Sequence, residues 1–191
     1  MFEKKIIKNL KEIEKNFNRL KKKKYIDLIN KTSEIIINTL KVDKKIIFCG
    51  NGGSAADALH LSAELLGRYL KKRKPFNSID LNSNIATITA ISNDFKFDEI
   101  FTRQLLALGK ENDILFAIST SGKSNNIIKV IRLAKKLNIK IILMTSSKGK
   151  NLRRYCDILI DCPGKRVDRI QEMQKIIGHM ICENIEENLS K

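Results

Sequence analysis

The feature of this sequence that most constrains its fold is the alternation of short apolar runs with helical patterns through its middle. Strand-like runs occupy residues 45–49, 78–81, 114–119, 139–145 and 158–161. Amphipathic helical patterns separate them near residues 54–70, 84–92, 98–108 and 125–137. Strands and helices that alternate in this way predict a parallel sheet covered by helices on both faces. In such a sheet, ligands bind beyond the carboxyl ends of the strands.

Helical patterns also flank this α/β middle on both sides. Residues 1–40 read as two helices, and the first carries an apolar seam whose spacing alternates between four and three residues: Ile6, Leu10, Ile13, Phe17 and Leu20. A seam this narrow is suited to packing against another helix. A second long amphipathic pattern covers residues 167–185. We therefore expect a single domain, residues 1–191, in which residues 1–40 are a helical extension and the terminal helices form a bundle in an oligomer.

The net charge of +16 raises the question of a nucleic-acid partner. Only nine of the 37 basic residues are arginine, and the lysines are scattered over the helical patterns. No zinc-finger spacing or aromatic RNA-binding signature is found, and aromatic residues make up only 6% of the chain. We therefore expect a solvated, lysine-rich surface and no nucleic-acid partner. A positive potential that steers an anionic small molecule inward remains open.

Apolar run length and cysteine spacing indicate the compartment. No apolar run approaches the roughly 20 residues that span a bilayer, and the N-terminal stretch has no continuous apolar region typical of a secretory signal. The four cysteines have no C-x-x-C spacing and lie mostly in apolar stretches, which favours free, buried thiols. We expect a cytoplasmic protein without membrane association.

The first candidate ligand-binding segment is the glycine turn, residues 50–54, with the sequence GNGGS. A dinucleotide-binding G-x-G-x-x-G pattern would need glycine at position 55, where Ala55 stands. Backbone N–H groups of a glycine-rich bend can still approach an anion or a sugar oxygen, with Ser54 as a candidate helix N-cap. The alternative is a tight strand-to-helix turn with no ligand.

The second candidate segment is the serine loop, residues 119–124, with the sequence STSGKS. It is not a Walker A loop, because that pattern would need glycine at position 117, where Ala117 stands. Four hydroxyl groups instead surround one glycine at a predicted helix N-terminus, where unpaired N–H groups and the helix dipole favour negative charge. The loop therefore predicts a phosphate site that needs no magnesium, the alternative being a hydrophilic loop with a serine cap.

Two histidines lie on predicted helices near acidic or amide side chains. His60 and Glu64 are four residues apart, so they project from one helix face. His179 follows Gln171 by eight residues, roughly 12 Å along a helix axis. We therefore expect Gln171 and His179 to meet the Glu64 helix from different subunits, or to approach one centre from opposite sides. The alternative is a capping Asp168 and a histidine that faces the core.

Four segments in this order and spacing resemble the phosphoheptose isomerases of the sugar isomerase (SIS) domain superfamily. They are "CGNGGSAADALHLSAELLGRY", "SNDF", "ISTSGKS", and "DRIQE" followed by His179. The resemblance covers nearly the whole chain. It implies a flavodoxin-like α/β fold and a homotetramer with active sites between subunits. The implied reaction converts sedoheptulose 7-phosphate to D-glycero-D-manno-heptose 7-phosphate, for the heptose of lipopolysaccharide or capsule.

The resemblance also implies roles for individual residues. The phosphate would be held by Ser119, Thr120, Ser121 and Ser124, with Ser54 nearby. Sugar hydroxyls would contact Asn51, Asp94 and Asp168. The wider substrate-binding set adds Gly52, Gly53, Asn93, Glu64 and Gln171. Glu64 resembles the catalytic base and His179 its partner acid. Some members bind zinc through residues that match His60, Glu64, Gln171 and His179, which implies one zinc ion per subunit.

These residue types also suit the chemistry. Ketose-to-aldose conversion moves a proton between adjacent carbons through an enediol, and one carboxylate such as Glu64 can take and return it. Histidine can move protons between the two oxygens near neutral pH, which suits His179. Lys123 and the basic "PGKRV" segment depart from the family pattern. The main rival is a non-catalytic SIS protein, a sugar-phosphate sensor or a replication-initiator-associating protein, but the presence of both Glu64 and His179 favours the enzyme.

Overall fold

Five parallel strands form one sheet in the computed structural model, which describes residues 2–190. The strands are β1 (Ile46–Gly50), β2 (Ser78–Asp80), β3 (Ile114–Ser119), β4 (Lys140–Thr145) and β5 (Ile158–Asp161). Their spatial order is β2-β1-β3-β4-β5, the flavodoxin-like order. The predicted α/β fold with a parallel sheet is confirmed.

Seven α-helices complete the architecture of residues 2–190. They are α1 (Phe2–Leu20), α2 (Lys23–Lys41), α3 (Gly53–Leu66), α4 (Ile85–Asp94), α5 (Ile100–Leu108), α6 (Asn125–Lys136) and α7 (Val167–Leu189). Two 3-10 segments, Phe97–Glu99 and Ser147–Tyr155, precede α5 and β5. The second was not predicted, because its run of lysine, arginine and small polar residues carries no apolar period.

The sheet separates two hydrophobic cores. On one face, Ile46 and Phe48 of β1 pack with residues of α2, α3 and α7. On the other, Ile47 and Cys49 of the same strand pack with residues of α4, α5 and α6. Because successive side chains of a strand point to opposite faces, a sheet covered on both sides needs apolar residues at every position. This is the physical basis of the continuous apolar runs in the sequence.

The boundaries of α3 differ from those predicted. The helix starts at Gly53 with Gly52 as its N-cap, at φ 55°, so the expectation that Ser54 is the N-cap is wrong. Only glycine adopts such a conformation easily, and Ser54 instead lies buried in the first turn. The helix ends at Leu66, four residues before the predicted end, where the N–H of Gly67 bonds to the carbonyl of Ala63 at 2.8 Å.

The terminal helices pack on each other, as α2 and α1 both contact α7. Most of the apolar seam of α1 nevertheless stays in solvent. Ile6 is 55% exposed and Leu10 58%, while only Asn16 and Leu20 of this helix are buried. Among the described residues, Ile6 and Leu10 of the seam thus stay uncovered, whereas Ile13 and Leu20 pack against the core. No helix between residues 2 and 190 is long and apolar enough to cross a bilayer.

The cysteines are free, as the sequence predicted. Cys49, Cys162 and Cys182 are buried and Cys156 is partly buried. Burial raises the pKa of both the Cys156 and Cys182 thiols to about 12. All four therefore behave as apolar packing groups rather than as nucleophiles.

Candidate active site

The glycine turn and the serine loop meet where the strand order reverses. They follow β1 and β3, which are neighbours in the sheet with Gly50 paired to Ile118. The side chains of Asn51 and Asn126 join them through two reciprocal amide hydrogen bonds of 2.8 and 2.9 Å. Open parallel sheets bind ligands at this point. The structure therefore brings the two predicted ligand-binding segments together.

The glycine turn is shaped by close approaches to its backbone. Asn82 exchanges two hydrogen bonds with the backbone of Gly50, at 3.1 and 2.8 Å, and so fixes the end of β1. A Cβ atom on Gly53 would lie 2.2 Å from Nε2 of Gln171 on α7. Glycine at this position lets the Gln171 amide lie directly against the first turn of α3.

Two hydroxyl groups of the serine loop accept hydrogen bonds from the loop's own backbone. The Ser119 hydroxyl accepts a hydrogen bond from the N–H of Gly122 at 3.2 Å, and the Ser121 hydroxyl accepts one from Lys123 at 3.1 Å. Gly122 has φ 62°, and a Cβ atom there would lie 2.4 Å from the Cα of Gly149. Glycine is thus required at this position by both the backbone conformation and the close neighbour.

The loop ends at the N-terminus of α6 with Ser124 as N-cap, whose side chain makes no capping hydrogen bond. The N–H of Ile127 donates to Oδ1 of Asn126 at 2.9 Å, but Ser124 accepts no hydrogen bond from the N–H groups of Asn125 and Asn126, which leaves an anion-binding end. Ser146, the residue after β4, supports the loop by donating a hydrogen bond to the Thr120 carbonyl at 2.7 Å. These features suit a phosphate group.

Three predicted residues converge between α3 and α7. Nε2 of His60 lies 2.8 Å from Nε2 of His179 and 3.4 Å from Oε1 of Glu64. We call these three residues the proton-transfer cluster, after the role that the sequence resemblance implies for Glu64 and His179. The helices approach closely here because position 178 is glycine, where a Cβ atom would lie 2.7 Å from Leu61. A larger residue would push the two imidazoles apart.

The electrostatics of the proton-transfer cluster favour a neutral His179. Partial burial lowers the pKa of His179, and the neighbouring His60 lowers it further, against the opposing effect of Glu64. At a separation of 2.8 Å, only one of the two facing nitrogens can carry a hydrogen. A neutral imidazole next to a carboxylate can exchange protons with a substrate.

The same three residues fit a metal ion. Their donor atoms all lie within 4.8 Å of one another, and two imidazoles with one carboxylate match a common catalytic zinc set that leaves a fourth position open. Tetrahedral ligands about 2.0–2.1 Å from zinc stand roughly 3.3 Å apart, so a small separation of the two imidazoles accommodates the ion. The donor set therefore supports the predicted zinc ligands His60, Glu64 and His179.

Gln171, the fourth predicted zinc ligand, lies elsewhere on the helix pair. It borders a pocket of about 370 Å³ together with Gly53, Asp57, Asp168 and Lys175. Because α3 and α7 run side by side, Gln171 meets the start of α3 while His179 meets His60 near its middle. Within one chain, the structure does not bring Gln171 to the proton-transfer cluster.

Asp168 is held by two arginines at the start of α7. Its carboxylate accepts hydrogen bonds from Arg166 at 2.5 Å and Arg169 at 3.1 Å. Desolvation opposes ionisation, but these donors outweigh it and lower the pKa of Asp168. The group is thus an anion that can accept hydrogen bonds from a sugar.

Asn93 and Asp94 lie at the C-terminal end of α4. Both are exposed, and the Asn93 amide donates to Asp94 at 2.9 Å. Glu64 lies ten residues after Ser54, roughly 15 Å along α3 from the glycine turn. A single chain does not assemble all predicted site residues around one centre.

Sequence reasoning missed several residues that shape the site. Asn126 is 1% exposed and ties the serine loop to the glycine turn, yet it reads as an ordinary first-turn residue of α6. Asp57 is buried with Oδ2 unpartnered, and burial raises its pKa against the effect of Lys175, 3.5 Å away. The signal that could have found Asp57 is its spacing of three residues before His60.

Comparison with known proteins identifies relatives over nearly the whole chain. The model of the SIS domain family matches residues 9–146. The phosphoheptose isomerase of Rhodospirillum rubrum is 42% identical over 161 residues, which cover 84% of this chain and 86% of that protein. The phosphoheptose isomerase of Nitratiruptor is 40% identical over 186 residues, which cover 97% of each chain.

Solved structures agree with this assignment. The phosphoheptose isomerase of Neisseria gonorrhoeae superposes with a TM-score of 0.91 at 31% identity, covering 98% of this chain and all of that one. The enzyme of Francisella tularensis gives 0.92 at 32% identity, covering 96% and 97%. With the flavodoxin-like sheet and the proton-transfer cluster in place, this chain belongs to the phosphoheptose isomerases of the SIS domain family.

Proposed function

We propose that the protein converts sedoheptulose 7-phosphate to D-glycero-D-manno-heptose 7-phosphate, as an aldose–ketose isomerase that supplies heptose for lipopolysaccharide or capsule. The observation that carries this proposal is the proton-transfer cluster, in which Glu64 and His179 both lie against His60. A carboxylate and a neutral imidazole are the two groups that an enediol mechanism requires. A protein that only binds a sugar phosphate has no need of them.

Glu64 transfers the proton that moves between C1 and C2 of the sugar. Its carboxylate takes a proton from C1 of the ketose and returns it to C2 of the enediol, on the same face of the sugar. His179 moves protons between the oxygens on C1 and C2, which its lowered pKa favours by keeping the imidazole neutral at pH 7. A zinc ion held by His60, Glu64 and His179 would polarise the carbonyl group.

Substrate binding is assigned to the edge of the sheet. The hydroxyls of Ser119, Thr120, Ser121 and Ser124, with Ser54 and the first N–H groups of α6, hold the phosphate. Hydrogen bonds to the sugar are assigned to Asn51, Gly52, Gly53, Asn93, Asp94, Asp168 and Gln171. The support for this assignment is the meeting of the glycine turn and the serine loop at the strand-order reversal.

The active site is proposed to lie between subunits of a homotetramer. Ser54, assigned to the phosphate, lies at the start of α3 and Glu64 near its end, roughly 15 Å apart along the axis, whereas six C–C bonds from C1 to C7 of the sugar span about 8 Å. A second subunit that presents its own Glu64 or His179 to the serine loop resolves this mismatch. In the same way, Gln171 of one subunit completes the zinc site of another.

The exposed seam of α1 supports the oligomer. We propose one domain over residues 1–191, with residues 1–40 as a helical extension that covers Ile6 and Leu10 against a partner helix. We also propose a cytoplasmic location, which a phosphorylated sugar substrate supports.

The direct test is incubation of the purified protein with sedoheptulose 7-phosphate, with and without zinc, and detection of the aldoheptose phosphate. We expect turnover in the wild type and its loss in Glu64→Gln, which keeps the side-chain shape but removes the base. Substrate affinity of Glu64→Gln should stay close to that of the wild type. Tight binding without turnover in the wild type would instead favour a regulatory SIS protein.

A further inference from the structure

A buried ion pair ties the segment after α3 to α7. Glu186 is 1% exposed, and its carboxylate accepts four hydrogen bonds. Three come from the backbone N–H groups of Tyr69, Leu70 and Lys71, at 2.9, 2.6 and 2.8 Å, and the fourth from Nε of Arg73 at 2.9 Å. All donors converge on one side chain of α7, so residues 69–73 are fixed to that helix.

The guanidinium of Arg73 reaches from Glu186 back to the end of α3. Its Nη2 donates to the backbone carbonyl of Glu64 at 2.7 Å, and its Nη1 donates to that of Leu65 at 2.9 Å. The Arg73 side chain is 3% exposed and stacks on the ring of Phe76 at 3.9 Å. The planar fork of arginine satisfies several directions at once, which a lysine cannot do.

The same ion pair is linked to His179. Tyr69, whose N–H is held by Glu186, places its ring 5.7 Å from the imidazole of His179, centroid to centroid. Glu186 itself follows His179 by two turns of α7. The Arg73–Glu186 pair therefore contacts the backbone of Glu64, the proposed base, and holds the residue whose ring lies beside His179, the proposed acid.

We propose that Arg73 and Glu186 are positioning residues that fix Glu64 relative to His179 for proton transfer; this inference rests on the proposed function. A buried ion pair adds little net stability compared with an apolar replacement, since desolvation offsets its attraction. What the pair supplies is geometry, because a carboxylate misplaced by about 1 Å can lose about 100-fold in rate.

The test compares Arg73→Lys and Glu186→Gln with a matched control, Asp113→Asn. Asp113 is also 1% exposed, and its carboxylate accepts from the backbone N–H groups of Lys45 and Lys110 and from the Lys45 ammonium at 2.6 Å. It precedes β3, at the end of the sheet opposite the serine loop. The control thus loses a similar buried ion pair away from the site.

We expect kcat for sedoheptulose 7-phosphate to fall about 10- to 100-fold in both test variants, with KM within about twofold. Asp113→Asn should keep a kcat near that of the wild type despite a comparable drop in Tm. Arg73→Lys keeps the charge, so a wild-type kcat in that variant overturns the positioning role. An equal loss of kcat in Asp113→Asn, or a change confined to KM, also overturns it.

Absence of turnover in the wild type refutes the proposed function. The positioning role of Arg73 and Glu186 is then tested by a measurement that needs no turnover. Calorimetric titration with zinc alone reports the arrangement of Glu64 and His179 without any reaction. We expect about tenfold weaker zinc affinity in Glu186→Gln and no change in Asp113→Asn. Equal zinc affinities in the wild type and Glu186→Gln, together with equal kcat where turnover exists, overturn the proposal.

Discussion

Replacement of Gly53 by alanine tests whether the amide of Gln171 must lie against the first turn of α3. A Cβ atom at position 53 would lie 2.2 Å from Nε2 and 2.9 Å from Cδ of Gln171. The first of these is about 1.2 Å short of the ~3.4 Å at which ordinary contact begins, so the amide has to move by about that distance.

The fold itself should tolerate the change. Gly53 is a helical residue outside the left-handed region, and alanine is favoured over glycine in helices by up to about 1 kcal/mol. The atoms that the new methyl group meets belong to a partly exposed side chain on α7 rather than to backbone. We therefore expect a Tm equal to or slightly above that of the wild type.

The isomerase activity of Gly53→Ala should fall even though its stability does not. A displacement of about 1 Å in a group that orients substrate can cost about 100-fold in rate, so we expect kcat/KM to fall about 10- to 100-fold. Initial-rate assays with sedoheptulose 7-phosphate, alongside thermal unfolding, measure the two effects on the same preparation.

A double-mutant cycle with Gln171→Ala separates displacement of the amide from direct obstruction of the sugar. If Gly53→Ala acts through Gln171, it should cost little further activity in the Gln171→Ala background. Full, additive losses in the double variant would refute the reasoning, as would an unchanged kcat/KM in Gly53→Ala alone.

Three further predictions follow from the described residues. Burial raises the pKa of Asp80 to about 6 against an ordinary 3.8, so the native state binds more protons than the unfolded state and loses stability as pH rises between these two values. Asp80→Asn should therefore raise the free energy of unfolding at pH 7.5 by about 1–3 kcal/mol, measured by urea unfolding. It should give no gain at pH 3, where Asp80 is protonated in both states. Zinc should raise the Tm of the wild type but not of His60→Ala, and an equal rise in both would remove His60 from the ligand set. Leu10→Glu on the exposed seam of α1 should lower the oligomeric mass measured by light scattering, while the exposed, polar Lys11→Glu leaves it unchanged; a tetramer in both would exclude the seam from the interface.

Local pattern was sufficient for most secondary-structure elements. The predicted strands 114–119 and 158–161 match β3 and β5, because strands buried on both faces show themselves as apolar runs bounded by polar turns. The end of α3 was predicted four residues too late, although Gly67 is a residue typical of helix ends. The departure of residues 67–70 from the helix is accompanied by the hydrogen bonds that Glu186 makes from 115 to 117 residues away.

The sequence by itself determined the sheet, the two ligand-binding turns and the face shared by His60 and Glu64, because these depend on periods of two and 3.6 residues and on glycine at special backbone positions. The pairing of His60 with His179 and the burial of Asn126, Arg73 and Glu186 were decided only by the tertiary structure. These contacts join residues far apart in the chain, and which polar side chains become buried depends on how closely α3 and α7 pack. A local sequence pattern does not predict contacts between residues so far apart in the chain.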